Sequence, residues 1–513
     1  MPRNCLGCNL VKEGIVQRIC HPLTRLDHGT GGKPLQHTAD AAEVIGVGID
    51  FTSCTMLPTT ADGTPLCRLP ELRREPHAWV KLWKHHAAQP EADRLNAIAA
   101  ARDEPWLHRY GGRMSSEWFF SKGLQILDEA PAVYRAADRL IEGGDWLVWQ
   151  LTGVETRSSC AAGYKALWSK ADGFPDPGYF ADVDPAFATI VADKMSRDIR
   201  SIGERAGELS AEAAAWTGLR PGTPVAIANV DAHVSVPATG VTAPGTMVAV
   251  MGTSTCHMVL GSRLALAEGI AGVVEDGIIP GFFGYEAGQA AVGDMFAWFT
   301  RQTVPPKIHD EARRTGRGVH ALLEAEAARL RPGETGLLAL DWWNGNRSIL
   351  VDAELSGLLV GATLATRTAD IYRALLESTG FGTRTIIESF EAAGVGVERI
   401  VGCGGLADNA LLMQLSADIT GRELAVAASN QVAALGAAMY GAVAAGAAAG
   451  GYDAIADAAA RMVRPAVRTY RPDPATKAVY DTLHGEYMAL HDHFGRHGTD
   501  VMRRLRALRA GAA

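Results

Sequence analysis

Strand-length apolar runs alternate with helix-length amphipathic segments on both sides of a Gly- and Pro-rich stretch, ATGVTAPGT (Ala238 to Thr246). A chain patterned this way folds as sheets covered by helices, because a continuously apolar strand has to be buried on both faces. EVIGVGIDF (Glu43 to Phe51) is such a strand, and DGTPLCR after it predicts a turn leading into another. Ser116 to Leu127 and Pro131 to Leu151 carry apolar residues at helical spacing. The turn-rich DGFPDPGY (Asp172 to Tyr179) precedes a helical segment over Asp182 to Ile199, and TPVAIANVDAH, from Thr223, opens a second block of strands. Beyond the Gly/Pro stretch the pattern predicts strands around Met247 and Met258, a helix over Gly288 to Thr300 and a charged helix over Pro305 to Leu330. A long helix, Ala369 to Ala393, leads to a strand (RIVGCGG), a helix, a strand (ELAVAAS), an Ala-rich helix and a basic-ended helix over Thr476 to Arg509. The fold class is α/β, with two mixed-sheet domains divided at the Gly/Pro stretch.

Composition excludes several alternatives. Forty-nine Lys plus Arg against 57 Asp plus Glu leave a net charge of −8, without the basic excess of a nucleic-acid protein. At 47% hydrophobic residues the chain is too apolar for whole-chain disorder. Val432 to Gly451 is 20 uncharged residues, the length of a membrane span, but ten are Ala and five Gly, which predicts a tightly packed helix in a water-soluble protein. Eight cysteines, mostly single and in apolar surroundings, suit buried thiols of a cytoplasmic protein, and no secretory signal is visible at Met1. Residues 1–40 lack a sustained period and are expected to be irregular. Their Cys5-x-x-Cys8, with Cys20, His21 and His28 nearby, falls short of zinc-site spacing, and no metal ligands are predicted.

Five clusters carry candidate chemistry. VMGTST (Val250 to Thr255) places Gly252, Thr253, Ser254 and Thr255 in a turn between strands, where amides and hydroxyls can cradle phosphate oxygens. VGCGGLADN (Val401 to Asn409) is a strand, a glycine turn and a helix start, an anion site without GxGxxG or Walker spacing. ANVDAH puts Asp231 at a strand end, either as a helix cap or as a general base for a substrate hydroxyl, with His233 as a packed or supporting residue. GYEAGQAAVGD sets Glu286 among small residues at the start of a helix. GYKALW holds Lys165 between aromatics, either snorkelling at the surface or reaching a ligand oxygen. Aromatics in KLWKHH and SSEWFF are of the kind that flank sugars.

The order GIDFTSCT, LWKHH, YGGRMSSEWF, AGYKALW, NVDAH, MGTST, GYEAGQ, DWWNGNR, GCGGLADN, SNQVAALGAA resembles that of the FGGY carbohydrate kinases, specifically the branch acting on L-ribulose. The likeness runs from about Ala41 to about Arg471. It implies an actin/hexokinase-like (ribonuclease H-like) fold of two domains with a ligand cleft between them, a sugar-binding domain over 41–240, an ATP-binding domain over 241–471 and a helical tail over 472–513. It also implies ATP and Mg²⁺, with a small sugar as substrate and neither nucleic acid nor membrane as partner, and it is compatible with a homodimer. By position, Asp231 matches the catalytic base, while Ser53, Lys165 and Glu286 match sugar contacts. Gly252 to Thr255 match a phosphate loop, Gly404, Gly405 and Asn409 the adenosine motif, and Ala434 and Gly436 flank the base.

The family begins with a strand and a D-x-G-x-x-S/T phosphate loop, and no such start precedes Ala41. GIDFTSCT imitates that loop, yet the residues after it match the later, sugar-side strand. The resemblance therefore implies an incomplete first domain preceded by 40 residues of unrelated sequence, with an impaired, ligand-binding remnant, or a kinase for another ketopentose or pentitol, as the rival readings.

Overall fold

The computed structural model describes residues 6–8 and 40–511. Its first sheet runs in the order Leu6–Cys8, Val47–Phe51, Pro224–Ala226, Arg205–Glu208, with Asn229–Val230 paired to the far end of Val47–Phe51. All five residues of Val47–Phe51 are buried, as its unbroken apolar character requires. Leu6–Cys8 lies within the stretch predicted to be irregular and pairs parallel to Val47–Phe51, Leu6 opposite Val47. The Cys5, Cys20, His21 and His28 positions, and the Cys8 side chain, lie outside the described residues.

The second sheet has seven strands, in the order Gly272–Glu275, Phe283–Gln289, Thr255–Gly261, Gly245–Met251, Val397–Cys403, Glu423–Val426, Arg468–Tyr470. Its centre, Gly245–Met251 beside Val397–Cys403 beside Glu423–Val426, is parallel, and its flanks are antiparallel. The parallel pairs are joined through helices, among them the long Thr368–Ala392 and Ala410–Thr420, as parallel neighbours require. Phe381, Ile386, Ile387 and Phe390 of the long helix are 0–1% exposed in the largest core.

Several predicted helices divide. Pro131 to Leu151 is a helix (Pro131–Ala136), a strand (Arg139–Glu142) and a helix (Gly143–Thr152), because Arg139–Glu142 pairs antiparallel with Met56–Thr59. Asp182 to Ile199 breaks at Asp184, which is extended because the next residue is proline. Gly316, at φ +68°, splits the charged helix into Pro306–Thr315 and Val319–Ala327. DGTPLCR ends in a single helical turn, Leu66–Arg68, instead of a strand. The basic-ended tail is two helices, Pro474–Asp492 and Val501–Gly511.

The Ala-rich helix, Val432–Ala445, lies between the halves. It follows a strand of the second sheet yet packs on Val47–Phe51 of the first, at backbone contact: a Cβ on Gly48 would sit 1.8 Å from Ala437 O, and one on Gly46 2.1 Å from Gly441 O. Small residues bring these backbones together. No helix among the described residues is long and apolar enough to cross a membrane.

Candidate active site

Asn229–Val230 ends against Val47–Phe51 and the chain turns at once into the helix Asp231–Ala238. Asp231 is the helix's first residue, where a carboxylate is favoured by the helix dipole, and Val230 occupies the capping position. Its Oδ1 accepts from Ala232 N at 2.8 Å, and the residue is half-buried. The negative charges of Asp231 and Glu286 both act on the Cys256 thiol, so the two carboxylates border one region.

Glu286 lies in the middle of the strand Phe283–Gln289, paired on both edges, and not at a helix start as predicted; that helix begins at Gly293. Lys165 ends the helix Ser159–Lys165 and is buried, which removes the snorkelling alternative. Its Nζ donates to Glu286 Oε2 at 2.8 Å and Oε1 at 3.1 Å. Burial works against the Lys165 charge, but the Glu286 carboxylate outweighs it and holds the ammonium above the usual lysine range. Burial likewise favours a neutral Glu286, and Lys165 and then His233 reverse this, holding it well below the usual carboxylate range. Trp118 and Tyr164 place their rings 5.8 and 5.7 Å from Lys165 Nζ.

His233 stacks on Tyr164, ring centroids 4.2 Å apart, with Nε2 3.3 Å from Glu286 Oε2. Neither ring nitrogen makes an aligned hydrogen bond among the described residues, so the interaction is through charge. Burial alone would lower its pKa, but the Cys160 sulfur and Glu286 raise it to about 9. His233 thus supports Glu286, a role that its place two residues after Asp231 hinted at.

The two phosphate-type loops lie side by side. Gly245–Met251 and Val397–Cys403 are parallel neighbours with Val250 opposite Cys403, so Gly252–Thr255 and Gly404–Asn409 leave the same sheet edge together. Gly404 has φ +91°, and a Cβ there would meet Met251 O at 2.5 Å, so only glycine fits. Gly405 meets nothing within 4 Å. Gly252 and Thr253 are exposed in the hairpin turn, and their carbonyls accept from Gly293 N at 3.1 Å and Val292 N at 3.0 Å, tying the turn to the next helix. Thr255 Oγ1 is buried without a hydrogen-bond partner among the described residues. Asn409 caps Ala410–Thr420, accepting from Leu412 N at 2.8 Å. Ala434 is half-buried on Val432–Ala445, and a Cβ on Gly436 would lie 1.9 Å from Val234 O, in the helix that begins with Asp231.

Ser53 lies in the turn after Val47–Phe51. A residue that sequence reasoning passed over holds this turn: Lys122, fully buried, donates to Cys54 O at 2.6 Å, Leu82 O at 2.9 Å and Trp83 O at 3.3 Å. It binds the Ser53 turn to the KLWKHH segment. A lysine next to the aromatic run of SSEWFFSKG, in the first turn of the helix Phe119–Glu129, was the available signal.

A family model described as the C-terminal domain of the FGGY family of carbohydrate kinases matches residues 247–445. The ribulokinase of Halalkalibacterium halodurans is 53% identical over 504 residues, covering 98% of this chain and 90% of that protein. The ribulokinase of Geobacillus thermodenitrificans is 55% identical over 466 residues, covering 91% of this chain and 83% of that protein. Among solved structures, the xylulose kinase from Rhodospirillum rubrum superposes with a TM-score of 0.64 at 26% identity, over 78% of this chain and 77% of that one. With two sheets of this topology and paired loops at one sheet edge, the chain belongs to the FGGY family of carbohydrate kinases and has its actin/hexokinase-like fold.

Proposed function

We propose that the chain transfers the γ-phosphoryl group of ATP to the terminal hydroxyl of L-ribulose, giving L-ribulose 5-phosphate, in the cytoplasm as a step of L-arabinose degradation. The observation that carries this reading is the convergence of Asp231 and the Lys165–Glu286 pair in a chain more than half identical to proteins named ribulokinase. We take residues 41–240 as the sugar domain and 241–471 as the nucleotide domain.

Asp231 accepts the hydroxyl proton as the sugar oxygen attacks phosphorus in line, and the electron pair of the broken bond leaves with ADP. Lys165 and Glu286, held against each other, present a fixed donor and acceptor to sugar hydroxyls, with the Ser53 turn on the other side. Gly252 to Thr255 hold phosphate oxygens, and Gly404, Gly405, Asn409, Ala434 and Gly436 border the nucleoside. Mg²⁺ takes oxygen ligands together with substrate phosphates, and the unpartnered Thr255 hydroxyl at the phosphate loop fits that donor preference, leaving Asp231 to act as base. Bound there, it supplies positive charge to the transferring group.

The test is ADP release by the purified chain with Mg·ATP, with and without L-ribulose. Release that depends on the sugar, and that Asp231→Asn lowers by on the order of 10²–10⁴-fold while sugar binding is kept, supports the reading. Release without sugar dependence, or with preference for another ketopentose or a pentitol, overturns it.

A further inference from the structure

Arg347 ends the segment DWWNGNR, and no role above uses it. Both of its neighbours are fixed. Asn346 exchanges backbone hydrogen bonds with Asp352, both at 2.8 Å, and the Ser348 hydroxyl accepts from Gly288 N at 3.2 Å. The side chain crosses over Gly288, where a Cβ would come within 3.2 Å of Arg347 Cδ and 3.4 Å of Nη1. Gly288 stands opposite Cys256 and two residues from Glu286, so all three share the sheet face that carries the site. A Cβ at 288 would first meet Thr255 O, at 2.8 Å, so glycine there serves the close strand pairing and leaves room for the Arg347 side chain as well.

At the end of this path Nη1 donates to Cys256 Sγ at 3.9 Å, the one hydrogen bond that the Arg347 side chain makes among the described residues. No carboxylate there lies within ion-pair distance of it. A thiol is a weak acceptor, and a guanidinium carries five donors in a planar fork. Burial disfavours its charge, and the nearby Cys256, Glu117 and Glu286 offset that and keep it protonated. Arg347 is half-buried, and none of its unused donors is shut away from the surface, so they face open space where an anionic ligand can meet them. Lys165 is already neutralised by Glu286. Cys256, which Arg347 reaches, directly follows Thr255 of the phosphate loop and feels the charges of Glu286 and Asp231, so the fork ends at a residue that borders both the loop and the two carboxylates.

We propose that Arg347 binds the phosphoryl group in flight, its guanidinium donating to the non-bridging oxygens, and then retains the phosphate of the sugar product. This rests on the kinase reading above. In the transfer, the bond from the sugar oxygen to phosphorus forms and the bond from phosphorus to the ADP oxygen breaks. The hydroxyl proton passes to Asp231, and Arg347 keeps its own protons throughout.

The experiment compares the full chain with Arg347→Met and Arg347→Lys. It uses steady-state kinetics with L-ribulose and Mg·ATP, together with calorimetric binding of L-ribulose and of L-ribulose 5-phosphate. For Arg347→Met we expect kcat to fall by on the order of 10²–10³-fold, with KM for L-ribulose changed by less than about threefold. Affinity for the product should weaken by about tenfold or more while that for L-ribulose holds, a split that a merely structural role does not produce. Arg347→Lys keeps the charge without the fork and is expected to fall between, and it carries the test if Arg347→Met does not fold. Unchanged kcat and product affinity in the folded variant, or equal weakening of L-ribulose and product, overturns the inference while wild-type turnover preserves the kinase reading. A wild-type chain without sugar-dependent turnover overturns both.

Discussion

Lys165 and Glu286 lie 121 residues apart in sequence and meet at 2.8 Å, each side chain 8% exposed. One comes from a helix of the first half and the other from a strand of the second, so the pair joins the two halves beside the proposed base. Removing Lys165 leaves the buried Glu286 charge with His233, at 3.3 Å, as its remaining counter-charge. We expect Lys165→Met to cost about 3–5 kcal/mol of stability, and Lys165→Met with Glu286→Leu to recover most of it while remaining inactive. Chemical denaturation midpoints decide: a double variant no more stable than the single one contradicts mutual neutralisation.

Glu142 is buried, with Oε1 lacking a hydrogen-bond partner among the described residues. Burial, helped by Asp145 and opposed by Lys122 and Arg157, pushes its pKa up to about 8 from an ordinary 4.5. Below the ordinary value both folded and unfolded chains hold the proton; between the two values only the unfolded chain releases it, so this contribution to stability is lost as pH rises through that window. Glu142→Gln, neutral throughout, is therefore expected to gain on the wild type progressively from about pH 5 to about pH 8. A gap between their melting temperatures that does not vary with pH refutes this.

Lys122 makes three carbonyl contacts that bind the Ser53 turn to Leu82 and Trp83. Lys122→Met removes the shared donor from these carbonyls, of which Leu82 O keeps a bond from His85 N at 3.1 Å, and releases the Ser53 turn from the proposed sugar site. The expected result is a KM for sugar raised by about tenfold or more, against a KM for ATP changed by less than about threefold. Equal changes in both constants count against a local role.

Gly48 and Gly405 separate packing from loop geometry. Gly48→Ala puts a methyl 1.8 Å from Ala437 O, whereas Gly405→Ala meets nothing within 4 Å. Gly48→Ala should lower stability by about 3 kcal/mol or more, and Gly405→Ala by less than about 1 kcal/mol. Thermal unfolding of the two variants tests the contrast; similar losses contradict it.

What was legible in the sequence was local. The long helix came within a residue of Thr368–Ala392 because 25 residues keep one apolar period, and the Gly252 hairpin was visible because two apolar strands flank a short polar turn, three residues long with Thr255 already in the second strand. Glu286 misled because GYEAGQ has little β-propensity of its own; its strand is made by pairing on both edges, with Thr255–Gly261 and Gly272–Glu275. Arg139–Glu142 vanished into a helical period for the same reason, its partner Met56–Thr59 being some eighty residues earlier. Burial of Lys165 and Lys122 depends on acceptors remote in the chain, which spacing does not reveal. The order of motifs made the candidate site visible as a set, whereas Arg347 stood out only when its path over Gly288 was known.

The close packing of Val432–Ala445 on the strand Val47–Phe51 and on the helix Asp231–Ala238 has a genetic consequence. Where two side chains collide, a smaller partner can restore the fit, and suppressors arise at the second site. At Gly46, Gly48 and Gly436 the opposing atom is a main-chain oxygen, of Gly441, Ala437 and Val234. Every residue has that oxygen, so no substitution at the opposing position trims it away. Damage at these glycines is therefore reversible only by restoring the glycine itself, and a suppressor screen begun from them should return true revertants.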